Sequence, residues 1–103
     1  MRGLASDPVI EILRFRLRSE ADVEAFLAAD KVLQTEFAYR QPGLLRRTTA
    51  RGEGSDWVVL TLWDSAPSAD ATDPLRADHA ACRSFRSFID IETVHSERLV
   101  ELD

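Results

Sequence analysis

Val58-Val59-Leu60-Thr61-Leu62-Trp63, followed at once by Asp64-Ser65-Ala66, is the stretch around which this chain can be laid out. An apolar run of that length, rich in β-branched residues and closed by a helix-capping serine, is a strand that ends where a helix begins. Just before it, Gly52-Glu53-Gly54-Ser55-Asp56 has the two glycines of a hairpin loop, so Leu44 to Arg51 and Trp57 to Trp63 form an antiparallel pair. Further back, Pro42-Gly43 stops a helix that opens with Ser19 as N-cap and runs to about Arg40. Glu20 and Asp22 lie in its first turn, Asp22 at the capping-box position.

The outermost segments complete the pattern. Val9 to Arg18 alternates, with Leu13, Phe15 and Leu17 on the side meant for the helices and Ile12, Arg14, Arg16 and Arg18 on the other. Beyond Trp63, Ser65 caps a short helical stretch, Asp73-Pro74 restarts it, and Leu75, Cys82, Phe85 and Ile89 mark one face. Thr93 to Leu102 alternates again, with Val94, Val100 and Leu102 opposite His95, Glu97 and Glu101. Strand, helix, strand, strand, helix, strand is the split βαβ plan of an α+β ferredoxin-like domain with an antiparallel sheet. The domain spans residues 9–103 after a flexible N-terminal arm over 1–8. Two helices cover one sheet face and leave the other bare, and a bare face needs a partner or a ligand.

Composition narrows the function classes. At 103 residues the chain is the size of one domain. Its net charge of -5, without a long run of basic residues, argues against nucleic acid as a partner. No apolar run approaches the length of a membrane span, and the first residues lack the apolar core of a secretory signal. Cys82 is the only cysteine, which excludes an intrachain disulfide. A cytoplasmic protein without membrane contact is the expectation. Gly-rich phosphate loops and the nucleophile elbow of hydrolases do not occur.

Polar residues interrupt the expected core at a few places. On the long helix Asp30 falls within the apolar arc formed by Phe26, Leu33 and Phe37, and Gln34 lies one turn on. A carboxylate facing a core needs an answering charge, for which Arg14, Arg16 and Arg47 are candidates by sheet geometry. The outcome is either a structural ion pair or a polar cluster at a cavity mouth. In the central strand, Val58, Leu60 and Leu62 match a helix-facing core, which puts Trp57, Thr61 and Trp63 on the bare face. Two indoles there call for dimerisation, a pocket or both, unless one lies under a loop at the strand end. His79, beside Asp78 and Arg86 in sequence, is a candidate proton carrier or a solvated surface residue. His79, Cys82 and His95 lack the paired spacings of zinc motifs, so no metal is expected. Cys82 on an apolar helix face points to packing, not covalent catalysis.

Arg40-Gln41-Pro42-Gly43-Leu44 after the long helix, Leu62-Trp63-Asp64-Ser65 at the strand end, and Asp78-His79 through Ser84-Phe85 resemble the antibiotic biosynthesis monooxygenase family of dimeric α+β barrels. The resemblance covers roughly Val9 to Leu102. It implies a homodimer in which two bare faces meet and each protomer carries a cavity. It also implies, for members acting on anthrone-like polyphenols, oxidation without metal or flavin in which the deprotonated substrate supplies electrons to oxygen. Trp63 resembles the pocket tryptophan of that family, and Arg83 or Arg86 would steady a phenolate or peroxide. The family's pocket asparagine has no counterpart, because the chain contains no Asn. Haem-degrading relatives use an Asn, a Trp and a ligating His, of which Trp63 and His79 would fill two roles.

The expected function is that of a cofactor-independent monooxygenase acting on a small aromatic or polyketide-like compound. Trp63, Thr61, Trp57 and Gln34 would shape the cavity, Arg14 or Arg16 would hold an anionic oxygen, and His79 or Asp30 would accept a proton. The alternatives are a non-catalytic barrel that binds a small molecule, and a haem-binding or haem-degrading protein.

Overall fold

Asp22 starts the long helix because its side chain accepts hydrogen bonds from the backbone amides of Glu24 at 2.9 Å and Ala25 at 3.4 Å. The computed structural model describes residues 7–102, in the order β1 (Val9–Leu17), α1 (Val23–Glu36), β2 (Leu44–Arg51), β3 (Asp56–Trp63), α2 (Ala66–Arg76), α3 (Ala80–Ser87) and β4 (Ile89–Val100). A short 3-10 turn, Ala38–Arg40, follows α1. The four strands form one antiparallel sheet in the order β2-β3-β1-β4, which is the ferredoxin-like arrangement. No helix among the described residues is long and apolar enough to cross a membrane. Of the arm expected over 1–8, residues 1–6 lie outside the described part. The Pro8 carbonyl accepts a hydrogen bond from the Glu101 amide at 2.8 Å.

Some boundaries differ from the sequence expectation. Asp22, not Ser19, caps α1, because the Ser19 hydroxyl hydrogen-bonds to the neighbouring Glu20 carboxylate instead of to a helix amide. The second helical region does not restart at Pro74, which sits inside α2. A proline ring is tolerated there because Asp70, whose carbonyl it leaves without its usual partner, is exposed to solvent. The break falls instead at Ala77–His79, and His79 caps α3. β4 begins at Ile89 instead of Thr93, pairing Ile89 with Leu17.

The largest correction concerns the faces of β3. Register pairs Val9 with Trp63, Glu11 with Thr61, Leu13 with Val59 and Phe15 with Trp57. These residues face the helices, so Trp57 and Trp63 are buried at 5% and 0% exposure. Val58, Leu60 and Leu62 stand on the bare face, opposite Arg14, Ile12 and Ile10. Both sides of β3 are apolar, so its own alternation does not say which side is in. The aromatic row wins the interior because it meets an aromatic helix face. Phe26, fully buried, lies 5.0 Å from Trp57 and 5.3 Å from Phe85, ring centre to ring centre, and 5.9 Å from Phe15.

Between β2 and the first helix, Gly43 has a φ of +87° and lies against the start of α2. A Cβ there would run into the side chains of Ser68 and Asp64. The left-handed backbone adds a penalty of its own for any residue with a side chain. Gly43→Ala should therefore lower the melting temperature by about 10 °C, a cost of about 2 kcal/mol in a domain this small. Differential scanning calorimetry checks this, and an unchanged midpoint would mean that α2 yields without loss.

Candidate functional site

The helix-facing side of the sheet and the inner surfaces of α2 and α3 border a cavity of 610 Å³. Its floor is apolar, built from Leu13 and Val59 on neighbouring strands, Leu33 of α1, Phe85 of α3 and Ile89. The hydroxyl-bearing side chain of Thr61 adds a buried polar point to this lining. The cavity opens along the edge strand β4, beside Ile91 and Val94, which are exposed.

That edge is irregular for a definable reason. Between the pairs Arg14–His95 and Arg16–Asp90, one residue of β1, Phe15, faces four of β4, Ile91 to Val94. The bulge meets its own hydrogen-bond needs. The Thr93 hydroxyl donates to the Asp90 carbonyl at 2.6 Å and accepts from the Arg16 amide at 2.8 Å, and the Asp90 carboxylate accepts from the Glu92 amide at 3.2 Å. Chain released in this way carries Ile91 and Val94 to the rim of the cavity.

A charged cluster forms one wall. Glu11 and Arg98 are register partners on β1 and β4, and Arg98 donates to Glu11 Oε2 through Nη2 at 2.9 Å and Nε at 3.3 Å. Its Nη1 donates to Asp70 Oδ1 at 2.7 Å, which ties α2 to the sheet edge. The hydrogen bond to Asp70, and after it the one to Glu11, raises the affinity of this guanidinium for its proton above the ordinary arginine level. The other Glu11 oxygen, Oε1, accepts from Trp63 Nε1 at 2.7 Å, so the buried indole is satisfied and both carboxylate oxygens are engaged. Arg76 lies 3.5 Å from Asp73 and 5.9 Å from the Phe37 ring centre.

A buried ion pair contributes to the lining, with Arg47 at the cavity and Asp30 behind it. Arg47 Nη1 is 2.8 Å from Asp30 Oδ1, with side-chain exposures of 5% and 7% respectively. Thr49 supports both partners, donating to Asp30 Oδ1 at 3.0 Å and accepting from Arg47 Nη1 at 3.3 Å. The Arg47 guanidinium stands 5.4 Å from the Phe85 ring centre. Tyr39 holds the strand there, its hydroxyl accepting from the Arg47 amide at 2.9 Å and donating to the Arg47 carbonyl at 3.1 Å.

Cys82 lines the cavity but is a poor nucleophile, because burial pushes its thiol pKa up against the lowering influence of Arg76 and its neighbours. A thiol whose pKa is raised by folding favours the folded state below the unfolded-chain value. That contribution is lost as pH rises toward the folded-state value. Stability should therefore fall above about pH 9 with a slope that Cys82→Ser lacks, measured as urea midpoints across alkaline pH. Parallel curves for the two proteins would count against a raised thiol pKa.

The residues expected at the site divide sharply. Thr61 lines the cavity, and Trp63 reaches it through Glu11. Asp30 sits behind Arg47 and answers to it, the third of the three candidate arginines; Gln34 is half-buried and makes no hydrogen bond to Asp30. Trp57 belongs to the aromatic core. Arg14 and Arg16 stand on the opposite face of the sheet, where Arg16 pairs with Asp56 at 2.9 Å in solvent. His79 does not line the cavity; its Nδ1 accepts from the Ala81 amide at 3.1 Å and its ring meets Phe37. The chain's other histidine, His95, pairs with Arg14 across the bare side. These placements do not fit a haem in the cavity, since neither imidazole reaches it. No group of three or more His, Cys, Asp or Glu able to hold a metal ion occurs among the described residues.

Arg47, Glu11, Arg76 and Arg98 were not singled out as site residues from the sequence. Pairing Phe15, already assigned to the helix side, across to Trp57 would have turned Thr61 and Glu11 inward with it.

No protein-family model matches the chain, and no curated protein matches it in sequence. Solved structures do. SnoaB, a cofactor-independent oxygenase from Streptomyces nogalater, superposes with a TM-score of 0.77 at 17% identity, over 94% of this chain and 95% of its own. A protein of Chloroflexus aurantiacus assigned to the antibiotic biosynthesis monooxygenases matches with a TM-score of 0.71 at 18% identity, over 93% and 94%. A dimeric ferredoxin-like protein from an uncultured marine organism matches with a TM-score of 0.71 at 17% identity, over 94% and 90%. At these identities the likeness is one of fold.

Proposed function

We propose that this chain is a homodimeric, cofactor-independent oxygenase that takes a small aromatic or polyketide-like compound into the cavity beneath its helices. The observation that carries the proposal is a 610 Å³ apolar chamber with arginines at its floor and rim, on a fold shared with a cofactor-independent oxygenase. An apolar floor selects a flat ring system, and the guanidinium groups favour the ring in its anionic form, which is the form that gives electrons to oxygen. In the overall reaction a ring methylene becomes a carbonyl. One oxygen atom of O₂ bonds to that carbon, and the other leaves as water with the two displaced hydrogens. The protein's part is to exclude water, orient the ring and stabilise its negative charge.

The bare face supports the homodimer, since Ile10, Ile12, Leu60, Leu62 and Leu99 form an aliphatic surface of a kind monomers seldom leave open. A dimeric protein of the same fold supports it. The single cysteine suits a cytoplasmic setting. Oxygen-electrode assays on a panel of anthrones test the activity. Catalysed uptake matched by carbonyl product is the expected result. Uptake no faster than the uncatalysed reaction across the panel would overturn it in favour of a non-catalytic binding barrel. That second reading has an observation on its side, since Glu11 has both oxygens occupied and no histidine reaches the cavity to act as base.

A further inference from the structure

We infer that Arg47 is the anchor of the cavity, holding through the free edge of its guanidinium a ligand with two adjacent oxygen acceptors that share negative charge. Three observations combine. Arg47 lines the cavity, and its side chain is 95% buried by the exposure of 5%. Its contacts to Asp30 at 2.8 Å and to Thr49 at 3.3 Å are made by Nη1, and among the described residues nothing accepts a hydrogen bond from Nε or Nη2. Yet no fully enclosed side-chain nitrogen lacks a partner, so those donors keep some open surface, and the chamber that Arg47 lines is the space we assign to it.

Geometry then names the ligand. The Nε–Nη2 edge presents two parallel N–H groups, a fork that matches two oxygens side by side, as in a carboxylate or a ring carbonyl beside a phenolate oxygen. The fork is already aimed. Asp30 and Thr49 hold the far end of the group, Phe85 stacks below it, and Tyr39 fixes the strand, so little side-chain entropy is lost when a ligand arrives. Other arginines around the cavity are differently placed. Arg98 and Arg76 are engaged by Glu11, Asp70 and Asp73, and Arg86 is exposed, where water screens it.

This inference concerns binding and stands whether or not the chain turns over a substrate. The test is calorimetric titration of the full chain, in nitrogen-flushed buffer, with three probes: naphthoate, ortho-hydroxyacetonaphthone and naphthylmethanol. The expected result is preference for either two-oxygen probe over the alcohol, and the probe that binds more tightly tells a carboxylate ligand from a hydroxyketone. In Arg47→Lys, which keeps the charge and loses the fork, the preferred probe should bind about tenfold more weakly or worse, and the preference over the alcohol should collapse. In case that variant fails to fold, the wild-type protein offers a second measurement: the Arg47 Nε–H resonance, assigned by NMR, should move downfield on adding the preferred probe. Equal affinity for all three probes, no binding at millimolar concentration, or an unmoved resonance in the bound state would overturn the inference.

Discussion

Asp30→Ala should destabilise the fold by about 3–5 kcal/mol, the cost of leaving one member of a buried ion pair without the other. Arg47, 95% enclosed in the intact protein, loses its carboxylate partner, and Thr49 loses the acceptor of its hydroxyl hydrogen. The Nη1 end that Asp30 held lies against Thr49, with the group over the Phe85 ring, so its charge is left poorly compensated. In urea the midpoint should fall steeply while the slope stays constant, since the surface exposed on unfolding is nearly the same. The double variant Asp30→Leu with Arg47→Met removes both charges and keeps the volume, and should regain most of the loss. A single variant that loses less than about 1 kcal/mol would mean that the pair is wet, and its structural role would fall. The double variant also separates two roles of one pair. It should be stable again yet show none of the preference for two-oxygen ligands, because the fork has gone.

The second large effect is expected on the opposite side of the sheet. Leu60 pairs with Ile12 at the middle of the bare face and is 38% exposed in the protomer, so arginine can replace it without disturbing the interior. In a two-fold dimer the same substitution enters twice, and two unpaired guanidinium groups would be desolvated close together. Leu60→Arg should weaken self-association by about a hundredfold or more while leaving the far-ultraviolet circular dichroism unchanged. Sedimentation of both proteins at micromolar concentration decides the matter. A wild-type protein that sediments as one protomer would remove the dimer from the proposed function, and the aliphatic surface would need another occupant.

The fold was legible because its signals are local. Pro42-Gly43, the glycines of the hairpin and Ser65 fix where elements stop and start, and strand alternation needs nothing beyond the segment itself. The site was less legible, because its residues come together through pairing. β3 is apolar on both sides, one side for the helices and one for the open face, so hydropathy does not separate them, and the aliphatic side expected under the helices lies on the open face. His79 drew notice as a titratable residue, but its imidazole serves as an N-cap acceptor, a role that sequence seldom ascribes to histidine. Arg47 drew less notice, as one of twelve arginines, since nothing in its neighbours along the chain marks it as the one α1 would bury. Asp30 gave the real clue, and its partner was among those foreseen.

The looped-out stretch of β4 from Ile91 to Val94 leaves the strand registers on either side of it intact, with His95 and Asp90 each opposite its own partner in β1. Chamber size and sheet alignment are thereby uncoupled. Lengthening or trimming this stretch would widen or narrow the opening without shifting a single residue of the aromatic interior. A designer seeking a different guest, or natural selection doing the same, has here a segment free to vary around Thr93, which ties it to Arg16, while the scaffold stays put.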